Sequence, residues 1–471
     1  MERFCGEIEK DSSYLGKAAG VGASFDVKER FLFIGGRRAY FCFISSIVSD
    51  ALVEKFISSL LSASILKDDT VFSFAERSST IGDLKFFPDG ESAASEILEG
   101  SGALLVDGFF HAVTVDLKNV PSRGIEEPES DRVLRGSRDG FTERLIDNIA
   151  LIRQRLKTSA AVYEKVSVGQ SARTSVALCY YSGRADMKFV RSLISKLESS
   201  KTDALSMSSE SLAELLIRRR WYDPFPKVRF TERPDAACAM ILEGSVILLC
   251  DNSPQAMILP CSVFDFVHET DDFYFPPLVG SYLRLLRFVV FMLSYTLVPV
   301  WFLLISNPET VPERLSFILP SHEYELPIIL QILLVEFTID ALKLASMNTP
   351  GSLSNSLSIV AGLLLGDFAI DVGWLTPEVI LYMSFVAMAN FTQPSFELGY
   401  AFKFMRITVL ILTALFNYVG FALGVLVAIL SIVLNNSVAG SRGYLYPLIP
   451  FDRRAFFRLL FRRRLKEDEK S

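Results

Sequence analysis

Three ionisable residues stand where an apolar helix is expected. Within Leu326 to Ser346, Glu336, Asp340 and Lys343 follow the run Ile328-Ile329-Leu330-Gln331-Ile332-Leu333-Leu334, and spacings of four and three put them on one helical face. Each such group near mid-membrane costs about 3 kcal/mol on insertion scales, so a chain that keeps them turns them toward a protein interior or a water-filled path. A second acidic pair, Asp367 and Asp371, repeats the four-residue spacing inside Ile359 to Val372. The chemistry open to such a set is the passage or gating of ions, and Glu336, Asp340, Lys343, Asp367 and Asp371 are the candidates for it. A structural alternative stands beside it, in which Lys343 pairs with Asp340 to hold helices together and Asp371 or Glu378 sits at a membrane surface.

The elements that carry these residues follow from composition. Of 471 residues half are hydrophobic and 22% charged, with a net charge of -6 and a mean hydropathy of +0.33. A positive mean hydropathy beside a normal charged fraction requires the two to be segregated along the chain. Residues 1–283 carry charge at globular density, and residues 284–450 are apolar stretches separated by short polar turns. This excludes a simple cytosolic enzyme, a disordered chain and a secreted disulfide scaffold. The expected architecture is α+β followed by α: two duplicated cytoplasmic α/β subdomains, then a helical transmembrane domain.

In the apolar part, Leu285 to Ile305 has no charge past Arg287 and spans about 31 Å as a helix, close to the hydrocarbon thickness. Arg284 and Arg287 place its start on the cytoplasmic side. Leu326 to Ser346 returns. The stretches 357–372 and 378–391 are about 24 and 21 Å long as helices, short enough to suggest a re-entrant or broken hairpin. Phe404 to Leu434 is long, with Gly420 and Gly424 inside, and is expected to be tilted, broken or bent back. The tail from Arg442 holds nine Lys or Arg against four Asp or Glu, including Arg462-Arg463-Arg464, which argues for the cytoplasmic side. Five apolar stretches leave the number of crossings open. The first residues, Met1 to Glu7, have no basic segment leading into an apolar one, so no secretory signal is expected.

In the charged part, Ile97-Leu98-Glu99-Gly100-Ser101 recurs as Ile241-Leu242-Glu243-Gly244-Ser245, an offset of 144. Upstream, a strand over 39–44 and a helix over 50–62 precede the first copy, and a strand over 175–180 and a helix over 186–199 precede the second, with Ile57 to Leu60 matching Ile194 to Leu197 at 137. Two related subdomains separated by a short insertion account for this, against a chance match between common turns, and in each copy the Glu-Gly-Ser turn is expected to join an apolar strand to its partner. The expected divisions are residues 1–125 for the first, 126–160 for a charged linker and helix, 161–275 for the second, 284–435 for the membrane domain and 436–471 for a basic tail.

The linker, dense in charge with Pro128, Gly136 and Gly140, leads at Thr142 into a helix with Leu145, Ile149, Ile152 and Leu156 on one stripe. A charged, solvated helix and a subunit contact are both open readings, and Arg135, Arg138, Asp139, Phe141, Arg153 and Arg155 are the contact candidates. Six cysteines, none in a CxxC pair, lie mostly within apolar runs and read as reduced core residues; three histidines show no metal-ligand spacing. No GxxxxGK[ST] loop occurs, and no nucleophile, base and orienting group can be assembled. Neither an enzyme nor a bound cofactor, metal or nucleic acid is expected.

Three long motifs resemble the GerA family of spore germination proteins, A-subunit type. They are Glu127-Pro128-Glu129-Ser130; Arg135 to Glu143 with Asn148 to Arg155; and Pro377 to Tyr382 with Ala389 to Arg406. The resemblance runs from about residue 30 to residue 450. It implies an inner-membrane protein of endospores with a two-part cytoplasmic region, forming a homo-oligomeric ion channel that releases cations and works with other germination membrane proteins. Where A subunits continue their second span with a Glu-Ala-Gly-like segment before a proline, this chain has Leu342 to Pro350, which argues against a nutrient receptor subunit. A non-conducting scaffold that organises receptor complexes is the alternative, and a transporter ranks last because no inverted repeat is evident.

Overall fold

The structure, a computed structural model, describes residues 3–64, 70–79, 83–119, 136–217, 220–269, 274–320, 324–348, 369–435, 437–438 and 443–460. It divides into two units, one of Met1–Arg218, Val228–Cys261 and Val438–Ser441, the other of Arg219–Lys227, Ser262–Ser437 and Arg442–Ser471.

The first unit holds two copies of one motif. Copy one runs α1 (Ile8–Ala19), β1 (Val27–Ile34), β2 (Arg37–Ile44), α2 (Asp50–Leu61), α3 (Val71–Ser78), β3 (Leu84–Phe87), α4 (Gly90–Glu99), β4 (Ser101–Val106), β5 (Ala112–Asp116). Copy two repeats it as α5 (Leu145–Arg155), β6 (Ala161–Val168), β7 (Thr174–Tyr181), α6 (Met187–Glu198), α7 (Ser208–Leu216), β8 (Arg229–Thr231), α8 (Pro234–Leu242), β9 (Val246–Cys250), β10 (Ala256–Leu259). The sheets have the orders β1-β2-β4-β5-β3 and β6-β7-β9-β10-β8, antiparallel throughout. Each strand runs against its neighbour, so the unit is α+β as expected for the class, and the α/β description of its two subdomains is corrected. Strand β4 is buried along its whole length, since α1 and α4 cover one face of the sheet while α2 and α3 cover the other.

Duplication extends to single hydrogen bonds. Ile8 N–H donates to Asp107 Oδ1 and Leu145 N–H to Asp251 Oδ1, both at 3.2 Å. Just upstream, Phe4 N–H reaches Pro88 O and Phe141 N–H reaches Glu232 O, at 3.0 and 2.8 Å. The helix placed in a separate linker is thus the first element of copy two, as α1 is of copy one. The Ile-Leu-Glu-Gly-Ser repeat is also placed differently from expectation. It joins a helix to a strand, not two strands: Gly100 at φ +109° and Gly244 at φ +96° end α4 and α8 in the left-handed region, where a side chain is strained.

The second unit is helical: α9 (Pro277–Ile305), α10 (Ile328–Asn348), α11 (Pro377–Phe391), α12 (Phe396–Val433) and α13 (Arg453–Leu460). Of the described helices, α9 and α12 are long and apolar enough to cross a membrane. Helix α12 folds back on itself at Asn417, whose φ of 52° and ψ of -128° leave the helical region. A Cβ on Gly420 would lie 1.8 Å from Leu412 O, and one on Gly424 2.8 Å from Val409 Cα, so two antiparallel limbs touch backbone to backbone and only glycine fits. Asn417 exchanges two side-chain hydrogen bonds, of 2.7 and 2.8 Å, with Asn307 just past the end of α9. The chain thus enters α9 and leaves the second limb of α12 at the same end of this unit. The stretch 357–372 falls mostly outside the described residues; its last part, Ala369–Asp371, is a single helical turn.

All six cysteines are free and all but Cys5 are buried. Desolvation pushes the thiols of Cys42, Cys238 and Cys250 up to about 12. The thiolate is absent at neutral and mildly alkaline pH, so maleimide at pH 7 to 9 should label Cys5 alone in the folded chain; labelling of a second site, read by mass, would contradict this burial. Gly420→Val or Gly424→Val should lower the unfolding temperature of the full chain in detergent, because each added side chain meets the backbone of the opposite limb. In an unbent helix nothing would lie opposite either glycine, and the unfolding temperature would not fall.

Candidate functional site

Helix α10 presents its acids as the spacing requires, and the basic side chains that meet them come from the first limb of α12. Lys403 and Arg406 are three apart and face the same way, so they pair with acids four apart on a helix running antiparallel. Arg406 Nε donates to Glu336 Oε1 at 2.9 Å and its Nη2 donates to the same oxygen, while Nη1 reaches Ser294 O of α9 at 2.7 Å. Lys403 Nζ lies 3.2 Å from Glu336 Oε2, 3.3 Å from Glu336 O, and pairs with Asp340. The side chains of Glu336 and Arg406 are 3% and 1% exposed, against 30% for Asp340. Two negative and two positive charges therefore neutralise one another within a single chain and tie three helices together.

Around this set the packing is apolar. Val298, Trp301, Ile332, Val335, Val379, Met383, Val386 and Leu410 form the buried cluster of the unit. Gln331, also buried, accepts from Thr376 N–H at 2.9 Å and donates to Leu326 O at 2.8 Å, which fixes the start of α11 against α10. Thr376 caps α11 through Val379 N–H.

Lys343 does not pair with Asp340. Its ammonium lies over the rings of Phe391, Phe396 and Tyr400, 5.3 to 5.9 Å from their centroids. Lys343, Phe396 and Tyr400, with Asp340, Asn390, Gly399 and Lys403, line a recess beside the charge cluster. Asp371 is exposed at the end of its turn, apart from this cluster, and Asp367 lies outside the described residues. Lys403 and Arg406 were not among the candidates. Their signal was present, two bases at helical spacing in an otherwise apolar helix, matching in number the acids of α10.

The contact candidates of the linker divide in the same manner. Arg155 pairs with Asp139 at 2.6 Å, and Arg138 is exposed. Phe141 and Arg153 are buried within the chain, which corrects their assignment to a subunit contact. Arg153 crosses from copy two to copy one, donating from Nε and Nη2 to Asp26 at 3.0 and 2.7 Å, with Ser46 Oγ on the same carboxylate at 2.7 Å. Its guanidinium stacks on Tyr163 at 4.2 Å. Arg135 lies outside the described residues.

A duplicated α+β unit joined to an apolar helical unit with a self-neutralised charge cluster defines the class. The chain belongs to the Bacillus/Clostridium GerA spore germination protein family, whose model matches residues 15–471. It is 33% identical over 455 residues to stage V sporulation protein AF of Bacillus subtilis, covering 96% of this chain and 92% of that one. It is 27% identical over 458 residues to spore germination protein KA of the same organism, covering 96% and 84%. The N-terminal domain of the A subunit of the Bacillus megaterium spore germinant receptor GerK3 aligns with a TM-score of 0.41 at 23% identity, over 55% of this chain and 96% of that one.

Removing one member of a buried charged pair leaves the other uncompensated, at a cost of about 3 to 5 kcal/mol. Arg406→Met should lower the unfolding temperature of the full chain in detergent, and Arg406→Met with Glu336→Gln should recover most of the loss. Equal destabilisation by the single and double changes would show that the pair contributes nothing beyond volume.

Proposed function

We propose that this chain is a membrane protein of spore germination that forms an ion-conducting oligomer, in which the charge cluster holds α9, α10 and α12 of each copy in their closed arrangement. The observation that carries the reading is the set of four ionisable side chains kept inside an apolar helical unit with only Asp340 partly open. Glu336 is 3% exposed in this arrangement, so conduction requires either that the cluster part or that ions pass along the Asp340 and Lys343 side of it. Asp340 is the carboxylate placed for that role, since its partner Lys403 is shared with Glu336 and its other side faces the recess.

Family membership supports a part in spore germination, and similarity to stage V sporulation protein AF links it to sporulation. Both ends of the helical unit are cytoplasmic in this reading, with the basic tail inside and the membrane that of the spore interior, and other germination membrane proteins are its partners. The complete neutralisation of Glu336 and Arg406 within one chain favours the second reading, a non-conducting scaffold, because no neighbour is needed to satisfy them.

Planar-bilayer recording of the purified full chain decides between them. Channel function predicts cation-selective currents, and Asp340→Asn should lower unitary conductance or cation selectivity without changing protein level or oligomer size. Silent bilayers from an intact oligomer, together with retained association with other germination membrane proteins, would establish the scaffold.

A further inference from the structure

Copies one and two keep one offset through Val71 against Ser208, 137 residues, and a larger one from Phe87 against Thr231, 144 residues. Copy two is therefore seven residues longer between its α7 and β8, and Arg219–Lys227 within that stretch belongs to the helical unit. The insertion carries Trp221, 97% exposed, and Tyr222, 61% exposed, whose ring meets Arg220 at 5.9 Å. A tryptophan left almost wholly uncovered forgoes the burial that most large aromatic side chains obtain.

The height of this loop on the helical unit is fixed. Asn435, two residues past the end of α12, donates to Asp223 Oδ1 at 3.3 Å. Phe225 stacks edge-on against Phe402 of the first limb, at 5.9 Å, and against Tyr444, whose hydroxyl donates to Pro226 O at 2.9 Å. The loop is thus held where both limbs of the apolar hairpin end. Beside it, the turn that follows Tyr444 exposes Ile449 and Phe451 and leads into Arg453.

We infer that Trp221 and Tyr222, with Ile449 and Phe451, insert into the headgroup layer of the bilayer, and that Arg220 and Arg453 bind anionic lipid phosphates there. Amphipathic rings favour that layer, basic groups near the same level are drawn to anionic lipid, and the apolar hairpin ends close to this height. The inference rests on the membrane reading and adds a lipid-binding site made by an insertion in copy two.

The test uses the full chain in vesicles of phosphatidylcholine with and without phosphatidylglycerol, carrying bromines near the headgroup or near the methyl end of the chains. Subtracting the emission of Trp221→Phe isolates Trp221. Its emission should shift to shorter wavelength and be quenched more by bromines near the headgroup than by those at the chain end. Phosphatidylglycerol should strengthen the quenching, and Arg220→Glu with Arg453→Glu should abolish that dependence. Water-like, unquenched emission overturns the inference, as does shifted but unquenched emission, which would mean that protein covers the ring. The emission left in Trp221→Phe comes from Trp301 and Trp374; if it too escapes every brominated lipid, the membrane reading has failed along with this one, whereas quenching of that remainder alone confines the failure to the loop.

Discussion

The helical unit depends on one buried arrangement, the pairing of Glu336 and Asp340 with Arg406 and Lys403. Apolar helices pack with little to choose between registers when the medium around them is as apolar as their side chains. A charge removed from water is different, because its partner must stand within hydrogen-bond reach or the group costs several kcal/mol. Arg406 reaches Glu336 on α10 and Ser294 O on α9 at once, so one guanidinium sets the relative heights of three helices. A slip of α12 by one turn, about 5.4 Å, would break every bond in the set. The same bonds couple the three helices: freeing Arg406 leaves both Glu336 and Ser294 O short of a partner at once.

The sheet unit solves its own joint the same way. At the position where copy two has Arg153, copy one has Gly16, and a Cβ there would come 2.9 Å from the Tyr40 hydroxyl. At the strand position of Tyr40, copy two has Ala177. Large and small residues are thus exchanged across one helix–strand contact, and the space that Ala177 leaves lets Arg153 turn toward Asp26 of the other copy. Duplication supplied two self-sufficient motifs, and this exchange fastened one to the other with a fully buried ion pair.

How far the sequence speaks for itself depends on the range of the interaction. The acids of α10 declare themselves because spacings of four and three are local, and the strands around Ala39 and Ser175 with the helices that follow them are where periodicity puts them. Their partners are not local. Lys403 and Arg406 lie more than sixty residues from the acids they neutralise, and periodicity carries no sign of which distant helix will answer. The Ile-Leu-Glu-Gly-Ser repeat was visible but its place was not, since a glycine between two apolar runs ends a helix or turns a hairpin equally well until the preceding residues are known to be helical. The equivalence of the first helix in each copy escaped for a related reason: Phe4 to Ile8 and Phe141 to Leu145 share only Phe and an aliphatic residue, and what makes them equivalent is a main-chain N–H bonded to Asp107 or Asp251.

The two copies differ where the chain has acquired something beyond its fold. Copy one has no counterpart of Arg153 and none of the seven residues around Trp221. Both additions are in copy two, and they act on different neighbours: Arg153 joins the copies, and the inserted loop is part of the helical unit. Neither is needed to complete a five-stranded sheet, since copy one completes its own without them. An insertion that served only as a surface loop would gain nothing from a tryptophan at its tip, nor from three separate contacts to the ends of an apolar hairpin. Its exposed rings and its fixed position are what the lipid contact inferred above would require.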